Sequence, residues 1–349
     1  MREIFFSFCY RFTRFVVTKT LYFFQAIRFK SKDLEPAVKL GDSVLSTLSF
    51  VGGPFFNFSL PNGKDVEVFD LKFQSPLIGS SFKSETSILN IWLKMGLGGL
   101  IFKTILQNQR NGNDRPRLQD AYLDDQKGLL NTMGLPGQGI DSFSQSITQS
   151  KLWKFNRPLG ISIGGDSYKE YIQNISKIQD AMVSTSFPFF YEINISCPNT
   201  DNGQTLGENP MLLNDLLTEI RQDNFTAISV KVSPDLSDKK LKEIGDLCKT
   251  QEKIFINAGN TQYKRPSDVG IHPSNFSMNG GGFSGPSLFL RTLEMVKIFS
   301  EFNIPILATG GVSTIHHINA AKQKGAVLFG MATALVFDPY CIPKINSQI

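Results

Sequence analysis

Residues 191–200 read Tyr191-Glu192-Ile193-Asn194-Ile195-Ser196-Cys197-Pro198-Asn199-Thr200. The run begins as a short apolar segment of the kind that forms a buried strand. It stops at Cys197-Pro198, because a proline has no N–H to continue a ladder, and a loop begins. Two asparagines and a thiol thus gather at the C-terminal end of one strand. In a parallel α/β barrel that end carries the chemistry. A buried free cysteine beside a turn is the ordinary meaning of Cys-Pro, so the surrounding pattern has to decide between the two.

That pattern repeats. Apolar runs ending in small or polar residues fall at 76–81, 99–104, 159–164, 191–196, 228–233, 254–257, 304–309 and 327–331, and segments able to form helices separate most of them. Strands alternating with helices in this way predict an α/β chain folded as a (β/α)8 barrel. A doubly wound open sheet is the alternative, but no GxGxxG follows the first strand. Residues 65–73 alternate apolar and polar, as a small hairpin opening the main domain would. The segment 105–157 is too long for a plain strand-to-helix connection and suggests a lid or a substrate wall.

Ahead of the barrel, residues 1–60 predict a helical arm, leaving 61–349 as the catalytic domain. Ten of the 40 aromatics lie in the first 32 residues, together with seven basic side chains and one acid. The arm's net charge of +6 exceeds the +5 of the whole chain, so the remainder is close to neutral and needs no nucleic-acid partner. Arg11, Arg14 and Lys19 interrupt the apolar stretch, which disfavours a membrane-spanning helix. On a helical wheel Arg11, Arg14 and Thr18 oppose Phe5, Phe12, Val16 and Ile27. The expectation is an interfacial helix over residues 1–32, with aromatics in the acyl boundary and cations at the headgroups. A cleavable targeting peptide and a helix packed on another protein are the alternatives. Residues 35–48 predict a second short helix.

The four cysteines (Cys9, Cys197, Cys248, Cys341) form no CxxC pair, which argues against a zinc or iron–sulfur site and against a disulfide framework. Three histidines, two of them adjacent, leave little for histidine catalysis. No metal is expected. At the strand ends stand Ser80-Ser81, then Lys103-Thr104, then Asn194. Lys231 lies within the fifth strand and Asn257 ends the sixth. Glycine clusters at Gly280-Gly281-Gly282 and Gly310-Gly311 suit phosphate binding by backbone N–H groups. Lys231 must face the barrel mouth or pair there, since a buried unpaired ammonium is too costly. Asn131, Asn194, Asn199 and Asn257 offer donors and acceptors without charge, as a flat amide-bearing ligand requires.

With these residues in place the chain resembles the FMN-dependent dihydroorotate dehydrogenase family over about residues 65–340. The motif Asn194–Thr200 carries most of the likeness. Gly112-Asn113-Asp114-Arg115-Pro116-Arg117, Asn131-Thr132-Met133-Gly134-Leu135-Pro136, Val230–Leu236 and Gly281–Gly285 support it in order. The resemblance implies that FMN lies across the barrel mouth, held by Ser80, Ser81, Lys103, Lys231, Asn257, Gly282, Gly310, Gly311, Ala332 and Thr333. It implies that dihydroorotate or orotate is held by Lys103, Asn131, Met133, Gly134, Leu135, Asn194, Asn199, Thr200 and Asn257. Cys197 is then the base that removes the C5 proton, and Lys231 stabilises the reduced flavin. At strand six, the run Asn257-Ala258-Gly259-Asn260-Thr261 leaves either Asn257 or Asn260 as the ligand.

The two subclasses of the family leave mixed marks. Cys197, Lys103 and the Met133–Pro136 lid resemble the cytosolic class. The arm and Val232–Leu236 resemble the membrane-bound class, whose extension forms a quinone tunnel. The arm favours a membrane quinone as acceptor and a peripheral location on the cytoplasmic side of an inner or plasma membrane; the mitochondrial inner membrane and the cytoplasm are the alternatives. Competing readings are a fumarate- or NAD-linked enzyme, a flavin oxidoreductase for another cyclic amide, and a membrane-associated flavin binder without turnover.

Overall fold

Inside the central barrel every second residue of each strand points to the axis, and these inward residues change from hydrocarbon to polar along it. The computed structural model describes residues 1–195 and 206–349. A hairpin of β1 (Val66–Val68) and β2 (Leu71–Phe73) comes first. The eight barrel strands are β3 (Leu77–Gly79), β4 (Gly99–Ile105), β7 (Leu159–Ile163), β8 (Phe189–Asn194), β9 (Ile228–Val232), β10 (Ile254–Ala258), β13 (Ile306–Thr309) and β14 (Leu328–Met331). They pair in parallel and close in the order β10-β13-β14-β3-β4-β7-β8-β9. Each coincides with a run singled out in the sequence.

The lower interior is a hydrocarbon plug. Ile78, Ile101, Phe190, Ala227, Phe255, Leu307 and Leu328 meet Val68, Leu71 and Phe73 of the hairpin, which thereby closes the barrel floor. Two residues further along the same strands the inward positions are Ser80, Lys103, Ser162, Glu192, Ser229, Asn257, Thr309 and Gly330. A second, larger apolar cluster fills the space between the strands and the outer helices. Several of those helices start on a side-chain cap that satisfies an otherwise orphaned N–H. Ser167, Asn209, Ser237 and Thr314 each accept from the backbone N–H three residues on.

The excursion between β4 and β7 contains β5 (Leu118–Leu123) and β6 (Gln126–Asn131). They join β11 (Gln262–Lys264) and β12 (Gly281–Ser284) in an antiparallel sheet of order β11-β12-β6-β5. This sheet stands over the C-terminal rim of the barrel and forms one wall there. The sequence patterns marked the excursion but not the sheet.

The arm consists of α1 (Arg2–Ile27), α2 (Glu35–Val51) and the single turn α3 (Gly53–Phe56). Its first helix faces the protein with a mixed stripe of polar and apolar residues, Phe6 and Tyr10 packing against the main apolar cluster. Ser7 and Thr18 are buried. Ser7 donates to Asp338 at 2.7 Å, and Gln25 exchanges hydrogen bonds with the Asp33 backbone. Arg14 pairs with Asp120 at 2.8 Å and lies over the Phe337 ring. This corrects the expectation for Arg14 at the lipid headgroups: a carboxylate of the antiparallel sheet, mostly shielded from water, claims the cation. Phe5, Phe8 and Phe23 point away from the protein, each 62% exposed, and Phe12, Phe15 and Phe24 join them on that face.

The plug is closely packed around aromatic rings. Phe190 is 1% exposed and its ring packs 5.2 Å from that of Phe255 and 6.2 Å from that of Phe73. Phe190→Ala should destabilise the protein by about 3–5 kcal/mol, read as a lower midpoint in chemical denaturation.

Candidate active site

The polar layer opens into a cavity of about 1200 Å³, bounded by the strand ends, the antiparallel sheet and the arm. Of the residues singled out in the sequence, Ser80, Ser81, Lys103, Asn131, Met133, Leu135, Asn194, Lys231, Gly310, Gly311, Ala332 and Thr333 all line it. Cys197, Asn199 and Thr200 lie outside the described residues. Three others do not reach the lining. Gly134 sits behind its neighbours, with φ +68° and Asn113 packed where a side chain would stand. Gly282 lies within β12, between β11 and β6, where the ladder uses its backbone. Its carbonyl also accepts from Asn131 at 3.1 Å. Asn257 is fully buried below the cavity floor, and Asn260 lines the cavity instead.

Lys231 and Asn257 meet in a network that the sequence patterns did not reveal. The Lys231 ammonium donates to Ser81 Oγ at 2.9 Å. Ser81 Oγ in turn donates to Glu192 Oε1 at 2.7 Å, and Asn257 Nδ2 donates to Glu192 Oε2 at 2.7 Å. Glu192 has no exposed surface, and its carboxylate lies 3.9 Å from the Lys231 ammonium. Strand register explains the meeting: Lys231 is level with Asn194 on one side and Asn257 on the other, and Glu192 is two residues below Asn194. The available signal was a glutamate at an inward position of an otherwise apolar strand.

Around this centre Asn194 Nδ2 donates to Thr104 Oγ1 at 2.9 Å, and Thr104 bonds Ser162 at the same distance. Lys103 donates to the Pro136 carbonyl at 2.6 Å, which ties the Met133–Pro136 loop to the barrel rim. On the far side, Ser80 Oγ and Thr309 Oγ1 are buried with no hydrogen-bond partner among the described residues. A Cβ on Gly330 would collide with both. Gly311 must be glycine: its φ is +72°, and a Cβ would stand 2.7 Å from the Phe289 nitrogen. The result is a cradle of hydroxyls and open backbone at the ends of β3, β13 and β14.

A family model described as dihydroorotate dehydrogenase matches residues 64–349. The chain belongs to the dihydroorotate dehydrogenase family. A relative from Chloroflexus aurantiacus named dihydroorotate dehydrogenase (quinone) is 28% identical over 81% of this chain and 80% of its own length. One of the same name from Hamiltonella defensa is 28% identical over 82% and 87%. An Aquifex aeolicus relative whose name places it in the fumarate-linked A type is 25% identical over 81% and 91%. In fold, the ligand-free DHODH of Eimeria tenella matches with a TM-score of 0.72 at 19% identity, covering 88% of this chain and 93% of that one. The barrel of this dihydroorotate dehydrogenase family member is the part that the family model spans, and the arm helices precede it.

The arm meets the cavity through ion pairs. Arg117, inside the excursion, holds Glu35 of α2 with two hydrogen bonds of 2.9 and 3.1 Å, and donates to the carbonyls of Asn111 and Asn113 at 2.8 Å each. Arg115 pairs with Asp33 at 2.7 Å, and Lys83 pairs with Asp42. Burial alone opposes ionisation of Glu35, but Arg117 and Lys39 outweigh it and hold the carboxyl down at about 2. A carboxyl so lowered stabilises the fold above its unfolded pKa of about 4.3, and the contribution disappears as pH falls through the folded value. Glu35→Gln should therefore be less stable than the parent at pH 7, by about 3 kcal/mol if Arg117 is left unpaired. The difference should shrink between about pH 4.3 and 2, measured by denaturation at a series of pH values.

Proposed function

We propose that this protein oxidises dihydroorotate to orotate with a bound FMN and passes the electrons to a membrane quinone. The observation that carries the reading is the convergence of Lys103, Asn131, Asn194 and Lys231 on one cavity in a chain of this family. The residues present fit a flavin mononucleotide. Ser80 Oγ and Thr309 Oγ1 await partners, Gly330 leaves space above them, and Gly310, Gly311, Ala332 and Thr333 offer a rim suited to a phosphate. FMN, when bound, supplies the two-electron acceptor for the hydride.

The chain's own groups do the rest. Asn131 and Asn194, joined by Asn199 and by Asn260 in place of Asn257, match the ring amides of the substrate. Lys103 and Lys231 bring positive charge to a site whose ligands are anionic, where shielding from water strengthens the attraction. The Met133–Pro136 loop, tied down by Lys103, covers the site and excludes water. Cys197 takes the C5 proton. A thiol has an ordinary pKa of about 8.5, so its active fraction rises as pH approaches that value.

A quinone acceptor is supported by the names of the relatives and by the arm. The cavity runs from the barrel mouth to Val38 and Arg11 of the arm, an entry for a hydrophobic molecule. The aromatic outer face of α1 suits an interfacial position on a bilayer. No described helix is long and apolar enough to cross a membrane, which agrees with peripheral attachment. Cys197, the Lys103-tied lid and the Aquifex aeolicus relative favour a second reading, in which fumarate takes the electrons.

The deciding experiment is anaerobic. Dihydroorotate added to the purified flavoprotein should bleach the oxidised flavin band, and flavin that stays oxidised would refute the substrate. Cys197→Ala should slow the bleaching by about 10²–10⁴-fold. Reoxidation should then be faster with quinone than with fumarate. Deleting residues 1–60 should abolish quinone turnover and spare bleaching by substrate.

A further inference from the structure

We infer that Glu192 is the positioning residue for Lys231, acting through the Ser81 hydroxyl. The functional consequence, though not the geometry, rests on the flavin reading above. Glu192 touches neither the cavity nor anything in it. It occupies the inward position of β8 between Phe190 of the apolar plug and Asn194 of the mouth, with no exposed surface. An isolated carboxylate there would be prohibitively costly.

Its partners give the group a direction. A serine hydroxyl carries a single hydrogen. Ser81 Oγ accepts from Lys231 at 2.9 Å and spends that hydrogen on Glu192 Oε1 at 2.7 Å. The second carboxylate oxygen accepts from Asn257 Nδ2 at 2.7 Å. Both oxygens are therefore acceptors, as an ionised carboxylate requires. The chain runs one way, from the ammonium through the hydroxyl to the carboxylate. Three barrel strands and the β3 rim thus fix one ammonium beside the cavity. A neutral amide at position 192 offers one acceptor where two donors arrive, so the chain must break at Ser81 or at Asn257. This also gives Asn257 an occupation: it braces the carboxylate from β10.

Lysine reactivity tests the placement without relying on turnover. The full-length protein, as purified, would be treated with an acylating reagent at fixed pH, and the modification of Lys231 and Lys103 followed by peptide mass spectrometry. Lys103 lines the same cavity but is held by the Pro136 carbonyl, so it reports general opening of the site. In Glu192→Gln and in Ser81→Ala, Lys231 should be modified at least ten times faster than in the parent, with Lys103 unchanged. Glu192→Asp, which keeps both acceptors, should restore most of the protection. Unchanged Lys231 labelling in Glu192→Gln would overturn the inference, as would a parallel rise of Lys103.

A second measurement reads the consequence. If Glu192 acts through Lys231, Glu192→Gln should lower kcat with KM for dihydroorotate within a few-fold, and should add nothing to Lys231→Met in the double variant. Additive losses would show that Glu192 acts on its own and would overturn the inference. Loss of dihydroorotate turnover in the parent would refute the substrate while leaving the labelling result standing.

Discussion

A carboxylate sealed inside a barrel of parallel strands has to be answered by donors, and Glu192 is answered from three directions. Asn257 reaches it from β10, Ser81 from the end of β3, and Lys231 lies behind Ser81 on β9. Below it the barrel is hydrocarbon, so no water is available to take over a lost partner. Above it the inward positions carry hydroxyls, amides and cations that face the cavity. The strands' alternation thus sets a sharp boundary between a layer that stabilises by exclusion of water and a layer that must be hydrogen-bonded group by group. The site sits on that boundary.

The same accounting extends outward to the arm. Asp120, Asp338 and Glu35 are mostly shielded acids at the junction of barrel and helices, and Arg14, Lys344 and Arg117 answer them. One cation, Lys103, links the strand ends to the loop that covers them. Lid, arm and rim are therefore not separate attachments. They close one cavity, and charged contacts do much of the closing.

Much of this was legible from local pattern. The eight barrel strands announce themselves as short apolar runs and the hairpin by its apolar–polar alternation, and the strand-end polar residues mark the site because a parallel barrel puts all those ends on one rim. What was not legible depends on contacts between distant segments. The antiparallel wall pairs β6 with β12, so neither strand shows a partner in its own neighbourhood. Gly282 looked like a phosphate loop because a glycine run reads the same in a loop and in a crowded sheet centre. Asn257 and Asn260 are three residues apart at a strand end, and only the position of the last inward side chain separates them. Glu192 lies inside a strand rather than at its end, so no strand-end pattern marks it. The face of α1 that meets the barrel was set by acids elsewhere in the chain, which a helical wheel of the helix alone does not contain.

The two faces of α1 have a consequence for handling the molecule. A surface helix usually adheres by its oily side, and such adhesion tightens as salt is added. Here Arg14 and Ser7 hold α1 to Asp120 and Asp338, and Phe6 and Tyr10 pack against the main apolar cluster. The Debye length contracts from about 10 Å at 0.1 M ionic strength to about 3 Å at 1 M, but a pair as shielded as Arg14–Asp120 is screened much less than an exposed one. Detergent and salt should therefore both act chiefly on the outward face of the helix, and in opposite directions. Detergent shields the outward phenylalanines, whereas concentrated salt drives them to associate. The inward contacts, and with them the roof of the cavity, should withstand both.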